Sequence, residues 1–144
     1  SKQSNLAGYR AAFVAGDPEI MANLVNSRKH AGMIVPRPIQ DAMAVALRDD
    51  AHVVAQKDAY RRRREALKPV VEQYGLKISG SEAGLYLWGS MGEDTWTTVG
   101  RFADLGIVVG PGVFYGELGE GMVRISLTAT DERIAAAVER LSSL

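Results

Sequence analysis

Apolar and polar positions alternate with different periods along the chain, and the changes of period predict its elements. Residues 6–16 (LAGYRAAFVAG) are small and apolar with little polar alternation, which predicts a buried strand entered through Gly8 and left at Gly16-Asp17-Pro18. Asp17 is placed to cap a helix that has Pro18 at its first position, Glu19 in its first turn, and Ile20, Leu24 and Val25 on one face. Pro36 and Pro38 interrupt that pattern, and residues 40–47 resume it, so two helices meet at a proline elbow. From 51 to 74 a long helix is predicted, because Val53, Val54, Tyr60, Leu67, Val70, Val71 and Tyr74 form a broken apolar stripe, with Pro69 as a possible kink.

Gly75 supplies the usual stop signal. Two short strands follow at 76–79 and 84–89, the second (GLYLWG) alternating aromatic and aliphatic side chains. Asp94 caps a helix to about residue 105 with Trp96, Val99, Phe102 and Ala103 inward; 106–109 and 122–127 are short strands; Asp131 caps a last helix with Ile134, Val138 and Leu141 inward. Helices first, then a small mixed sheet with covering helices, define an α/β fold.

Composition narrows the function. At 144 residues the chain is long enough for a real core, and 17 basic residues balance 17 acidic ones, so no overall field draws in nucleic acid or an anionic membrane. Without cysteine there are no disulfides, thiolate metal sites or cysteine nucleophiles, which favours an intracellular, cytoplasmic protein. No apolar run is long enough to span a bilayer. Arg61 to Arg64 invite a nucleic-acid reading, yet four successive helical residues fan out through about 300° rather than forming a patch, and a solvated face accounts for them.

Several constellations could carry chemistry. The glycine-rich segment Gly110-Pro111-Gly112 with Gly116, Gly119 and Gly121 lacks the Gly-Lys-Ser/Thr of a nucleotide loop; it is better read as tight turns that bring backbone close to a ligand, with Phe114 and Tyr115 giving apolar or stacking contact. His30 and His52 are far apart with no carboxylate or second histidine at i+3 or i+4, so neither a metal site nor a histidine-based triad is expected. Ser1, Ser4, Ser126 and Thr128 lie outside any nucleophile elbow. In VRISL, Val123 and Ile125 face one way and Arg124 the other, where it either pairs with an internal carboxylate or waits for an external one.

Residues 1–10 (SKQSNLAGYR) resemble the Ser-Lys-x-x-x-x-x-Gly-x-Arg signature of fold type I pyridoxal phosphate (PLP) enzymes, GLYLW resembles the strand that starts their small-domain sheet, and GIVVGPGVFYGELGEGMVRISL resembles their Gly-Pro-Gly stretch ending in Val-Arg-Ile-Ser. In this order they are similar to the C-terminal portion of a class I/II aminotransferase, along nearly the whole chain. SKQSNLAGYRAAFVAGDP and RKHAGMIVPRPIQ together look most like N-succinyldiaminopimelate aminotransferases of lysine and cell-wall biosynthesis. The resemblance implies that residues 1–35 are a remnant of the PLP-binding large domain and 36–144 the linking helices and small domain. It also implies that Lys2 carries PLP and acts as general base, Arg10 grips the cofactor phosphate, Gly8 lets the backbone pass close to the cofactor, Arg124 clamps the substrate carboxylate, and Tyr115 lies at the rim of the pocket. No metal is implied.

The departures from the family pattern lie upstream. A serine three residues before the lysine would precede Ser1, and the aspartate at the pyridinium nitrogen, the tyrosine at O3′ and the ring that stacks on PLP are absent. A cofactor lysine at position two also lacks the packed support that catalytic groups need. The expectation is therefore a C-terminal piece of a longer enzyme, inactive alone and homodimeric when intact, that transfers an amino group from glutamate to an N-succinylated keto acid. The alternatives are a non-catalytic α/β interaction domain and an aminotransferase of other specificity.

Overall fold

A computed structural model of the chain describes residues 2–32 and 34–144, and it divides within one long helix into two compact units, Ser1–Lys57 and Asp58–Leu144. Ser1 lies outside the described residues.

In the first unit the predicted cap forms. The Asp17 carboxylate accepts from the backbone N–H of Glu19 at 2.9 Å and Ile20 at 3.1 Å, opening α1 (Pro18–Ala31), which ends at Gly32 with φ 73°. α2 (Arg37–Ala46) starts after Pro36 and holds Pro38 in its first turn, and α3 (Ala51–Gln73) runs through Pro69 and across the boundary between the units. The strand expected at 6–16 does not form. Ala7–Tyr9 is a 3-10 turn and 10–17 has no regular structure, because an apolar run becomes a strand only when a neighbour takes its N–H and C=O groups, and among the described residues none does. Nor does the face expected on α1 become core: Ile20 and Val25 stay exposed, as do Phe13 and Val14, and no described residue of this unit is buried.

The second unit holds all of the buried core found among the described residues. Its sheet comprises β1 (Lys77–Ile78), β2 (Tyr86–Ser90), β3 (Gly110–Pro111) and β4 (Val123–Ser126) in the order β1-β2-β4-β3, packed with α4 (Thr95–Asp104) and α5 (Asp131–Ser142). Every pair is antiparallel, where a mixed sheet was expected. The crossover through α4 does make β2 and β3 point the same way, but β4 lies between them. Leu87, Val123 and Ile125 occupy one face of the sheet and share the core with Phe102, Ile134, Leu141, Leu67 and Val71.

The helix caps of this unit differ from one another. Asp94 opens α4 by accepting from the N–H groups of Trp96 and Thr97, and the bond from the Thr97 hydroxyl, with these two, holds its carboxyl below the usual carboxylate range. At α5 the cap residue is Thr130, and Asp131, expected there, sits one position inside and pairs with Arg63. Residues 106–109 are no strand; Val109 is buried but Val108 is fully open, and pairing begins only at Gly110.

The arginine run divides in two. Arg61 and Arg62 pair with Asp58 and Glu65 at the surface, as a solvated face should. Arg63 is only 17% exposed, reaches Asp131 at 2.5 Å and donates to the Leu127 carbonyl at 3.1 Å, while Arg64 donates to the Gly84 carbonyl. Half of the run therefore anchors α3 to the sheet and to α5. Among the described residues no helix is long and apolar enough to cross a membrane.

Candidate functional site

Antiparallel register builds the site in the second unit. Trp88 on β2 stands opposite Arg124 on β4, Tyr86 stands opposite Ser126, and Gly110 on β3 flanks Arg124 from the other side. Because side chains alternate across a strand, burying Val123 and Ile125 turns Arg124 to the other face with Tyr86, Trp88 and Ser126. The guanidinium lies 4.2 Å from the centre of the Tyr86 ring and 5.1 Å from that of Tyr115, and Tyr115 in turn meets Trp88 edge to face at 5.6 Å.

Two groups of this cluster were anticipated as site residues, Arg124 and Tyr115, and they are brought together. Tyr86 and Trp88 join them from β2; their alternation with Leu87 was visible in the sequence, but which of them meets Arg124 depends on a pairing that sequence does not specify. Of the alternatives open for Arg124, the internal ion pair is absent. Among the described residues no carboxylate meets it, and its Nε is buried without a hydrogen-bond partner.

The glycine-rich segment places Tyr115. Gly112–Tyr115 and Glu117–Gly119 are 3-10 turns, and Gly112 donates to the Met122 carbonyl at 2.8 Å. The close backbone approach expected there is made within the loop and not toward a ligand: a Cβ at Gly112 would lie 2.5 Å from the Met122 carbonyl oxygen. Gly121, at φ 72°, donates to the buried Thr95 hydroxyl at 2.8 Å and ties the end of the loop to α4.

Lys2, Gly8 and Arg10 share one loop of the first unit. Arg10 is exposed, its guanidinium has a single 3.4 Å contact to the Ala7 carbonyl, and among the described residues no carboxylate neutralises it. Asn5 and Arg10 both adopt left-handed backbone, at φ 53° and 52°, which costs about 1 kcal/mol or more at a non-glycine residue. Nothing lies within 4 Å of where a Cβ on Gly8 would be, so in this chain the glycine leaves open space beside its backbone. An uncompensated cation beside open backbone, on the loop that also bears an amine, fits a phosphorylated group.

The dismissal of His52 requires correction. Its Nδ1 lies 3.0 Å from Asp49 Oδ2 and its Nε2 2.9 Å from Ser4 Oγ, an Asp-His-Ser chain of hydrogen bonds within the first unit. The carboxylate precedes the histidine by three positions, where a forward spacing rule does not look. Among the described residues no group of three or more histidine, aspartate or glutamate side chains is arranged to hold a metal.

The family "Aminotransferase class I and II" matches residues 1–141. The chain is 56% identical over 142 residues to the 4-dedimethylamino-4-oxo-anhydrotetracycline transaminase OxyQ of Streptomyces rimosus, covering 99% of this chain and 40% of that protein. It is 36% identical to the LL-diaminopimelate aminotransferase of Oleidesulfovibrio alaskensis, covering 100% of this chain and 38% of the relative. A solved aminotransferase from Neisseria meningitidis superimposes with a TM-score of 0.86 at 31% identity, over 99% of this chain and 38% of the other. A structure from Thermus thermophilus described as a "probable N-succinyldiaminopimelate aminotransferase" gives 0.82 at 28% identity, over 99% and 39%. The chain thus spans about 40% of the length of the relatives it matches.

Proposed function

The chain belongs to the class I and II aminotransferase family, and on that premise we propose that it is the part of a PLP-dependent transaminase that supplies the cofactor lysine, a phosphate ligand and the substrate-carboxylate arginine. In this reading residues 1–35 belong to the cofactor-binding large domain and 36–144 to the linking helices and small domain. The observation that carries it is Arg124, a cation with a buried, unpartnered Nε, aromatic rings against it and, among the described residues, no acid to neutralise it. Such a group is prepared for a carboxylate from outside.

Bound PLP supplies the electron sink for the charge that develops at substrate Cα. Lys2 Nζ would hold the cofactor and would serve as the general base that takes the proton from substrate Cα. The Arg10 guanidinium binds the phosphate through paired, charge-assisted hydrogen bonds, and Gly8 leaves room for the cofactor beside the backbone. Arg124 would hold the substrate α-carboxylate in the same manner. Tyr115 borders the pocket. The relatives are longer than this chain, which spans about 40% of their length, and in this reading the remaining groups of the site belong to the part it does not match.

For the substrate we propose an N-succinylated keto acid as acceptor and glutamate as donor, in lysine and diaminopimelate biosynthesis, by a cytoplasmic homodimer. The resemblance of residues 1–18 and 28–40 to N-succinyldiaminopimelate aminotransferases supports it, as do the diaminopimelate relatives. The higher identity to OxyQ favours a second reading, a transaminase with a different keto acceptor. Turnover of a panel of keto acids by the full-length protein decides between them.

The test of the site uses the full-length protein. Lys2→Ala abolishes the visible absorbance of lysine-bound cofactor, and unchanged absorbance and turnover would sink the assignment. Arg124→Ala weakens substrate by about 2 to 5 kcal/mol with little loss of cofactor; an equal loss of PLP argues against its carboxylate role.

A further inference from the structure

We infer that His52 is a positioning residue for the cofactor-lysine loop: together with Gln56 it clasps residues 4 and 5 to the first two turns of α3 and so fixes the backbone that bears Lys2. The inference rests on the reading of Lys2 as the cofactor lysine.

His52 and Gln56 are four residues apart, one turn of α3, and so share a face. His52 Nε2 meets Ser4 Oγ at 2.9 Å, and Gln56 Oε1 accepts from Asn5 Nδ2 at 2.7 Å. Consecutive residues of the loop are thus held by consecutive turns of the helix. The third partner, Asp49, accepts from the backbone N–H of Ala51 at 3.0 Å through one oxygen and meets His52 Nδ1 at 3.0 Å through the other. A carboxylate only accepts, so Nδ1 carries the proton and the ring is fixed in plane and tautomer. The bond to His52 also keeps the Asp49 carboxyl below the usual carboxylate range.

The loop needs external support. Its two residues at positive φ are costly, none of residues 2–10 is buried, and the backbone bonds within it among the described residues include Tyr9 N–H to Leu6 C=O at 3.1 Å and Arg10 N–H to Ala7 C=O at 3.4 Å. Segments with so few buried contacts open easily, whereas a catalytic amine must be held to within a fraction of an ångström. Asp49, His52 and Ser4 also stand in the order of a hydrolytic relay. The Asn5–Gln56 bond has no part in a relay, and a clasp accounts for both bonds.

The test is a cycle in the full-length protein, with Lys2→Ala alongside. With PLP saturating, His52→Ala and Ser4→Ala each lower kcat on the order of tenfold, as a small misplacement of a catalytic group does, while KM for the amino donor stays within about twofold. The double variant is no worse than the poorer single one, because both remove the same bond, and Ser4→Thr, which keeps the hydroxyl, recovers most of kcat. The clasp is overturned if both single variants keep kcat within about twofold of the parent, or if their losses multiply. Should His52→Ala not fold, judged by loss of all cofactor absorbance, the Ser4→Ala and Ser4→Thr pair decides on the same criterion. If Lys2→Ala retains absorbance and turnover, the lysine reading falls and takes the clasp with it; if Lys2→Ala is dead while the His52 and Ser4 variants are normal, only the clasp falls.

Discussion

Replacing Gly112 by alanine should loosen the loop that carries Tyr115 to Arg124, and the size of the effect follows from what the new methyl meets. The Cβ would lie 2.5 Å from the Met122 carbonyl oxygen, 2.8 Å from Met122 Cβ, and nearer still to the Gly119 carbonyl oxygen. Two of these three atoms are backbone, so a rotamer change gives no relief and one side of the loop must shift. The shift strains the bonds from Gly112 N–H to Met122 C=O (2.8 Å) and from Met122 N–H to Gly119 C=O (3.1 Å). Overpacking of this kind costs about 1–3 kcal/mol, and a weakened backbone hydrogen bond adds about 1. Against this, alanine restricts the unfolded chain and returns about 0.4–1 kcal/mol. The net loss is about 1 to 3.5 kcal/mol. Urea unfolding followed by the fluorescence of Trp88 and Trp96, both in the second unit, measures it directly. Because Tyr115 ends the 3-10 turn that Gly112 begins, KM for the amino donor in the full-length protein should rise as well. Gly8→Ala is the control: with open space at its Cβ and no positive φ, it costs no stability and gains up to about 1 kcal/mol. A Gly112→Ala midpoint equal to that of Gly8→Ala refutes the reasoning.

Two further outcomes follow from other contacts. Tyr86→Leu removes the ring face 4.2 Å from the Arg124 guanidinium and should weaken amino-donor binding by about 0.5 to 2 kcal/mol, whereas Tyr86→Phe keeps the face and should bind almost normally; steady-state KM values for the two variants check this, and a phenylalanine variant as weak as the leucine one assigns the effect to the hydroxyl. Arg63→Ala frees the Leu127 carbonyl and unpairs Asp131, for a loss of about 1–2 kcal/mol in urea unfolding, while Arg61→Ala at the surface gives no measurable change; equal effects would mean that the run acts as one solvated face after all.

What was legible in the sequence was what local chemistry decides. Asp17-Pro18 and Asp94 announce helix starts because a short acidic side chain before the first turn satisfies orphan N–H groups wherever it occurs. The alternation in VRISL separates Val123 and Ile125 from Arg124 because a strand has only two faces. The family resemblance, which local chemistry cannot supply, identified the chain. What failed depended on partners. Residues 6–16 have strand composition but no strand to pair with among the described residues, and the stripe on α1 predicts an apolar face without saying what covers it. His52 looked isolated because its acid lies behind it and its hydroxyl 48 positions away. Arg63 looked like its neighbours Arg61 and Arg62, although its anchor, Asp131, is 68 residues on.

The availability of Arg124 is itself a product of register. A one-residue slip between β2 and β4 would turn its neighbours to the other face, but Leu87, Val123 and Ile125 must be buried together, so the hydrophobic pattern locks the pairing that sets Trp88 opposite Arg124. The face this leaves, Tyr86, Trp88, Ser90, Gly110, Arg124 and Ser126, contains no acid. A buried guanidinium nitrogen without a partner costs about 1–3 kcal/mol, which any aspartate or glutamate on that face could have removed. Aromatic rings offset part of that cost without satisfying the N–H groups, since they attract the cation through the ring face and leave its edge unbonded. The sheet therefore keeps a positive charge oriented and only partly compensated. The uncompensated charge at this point is thus a consequence of how the strands had to pair.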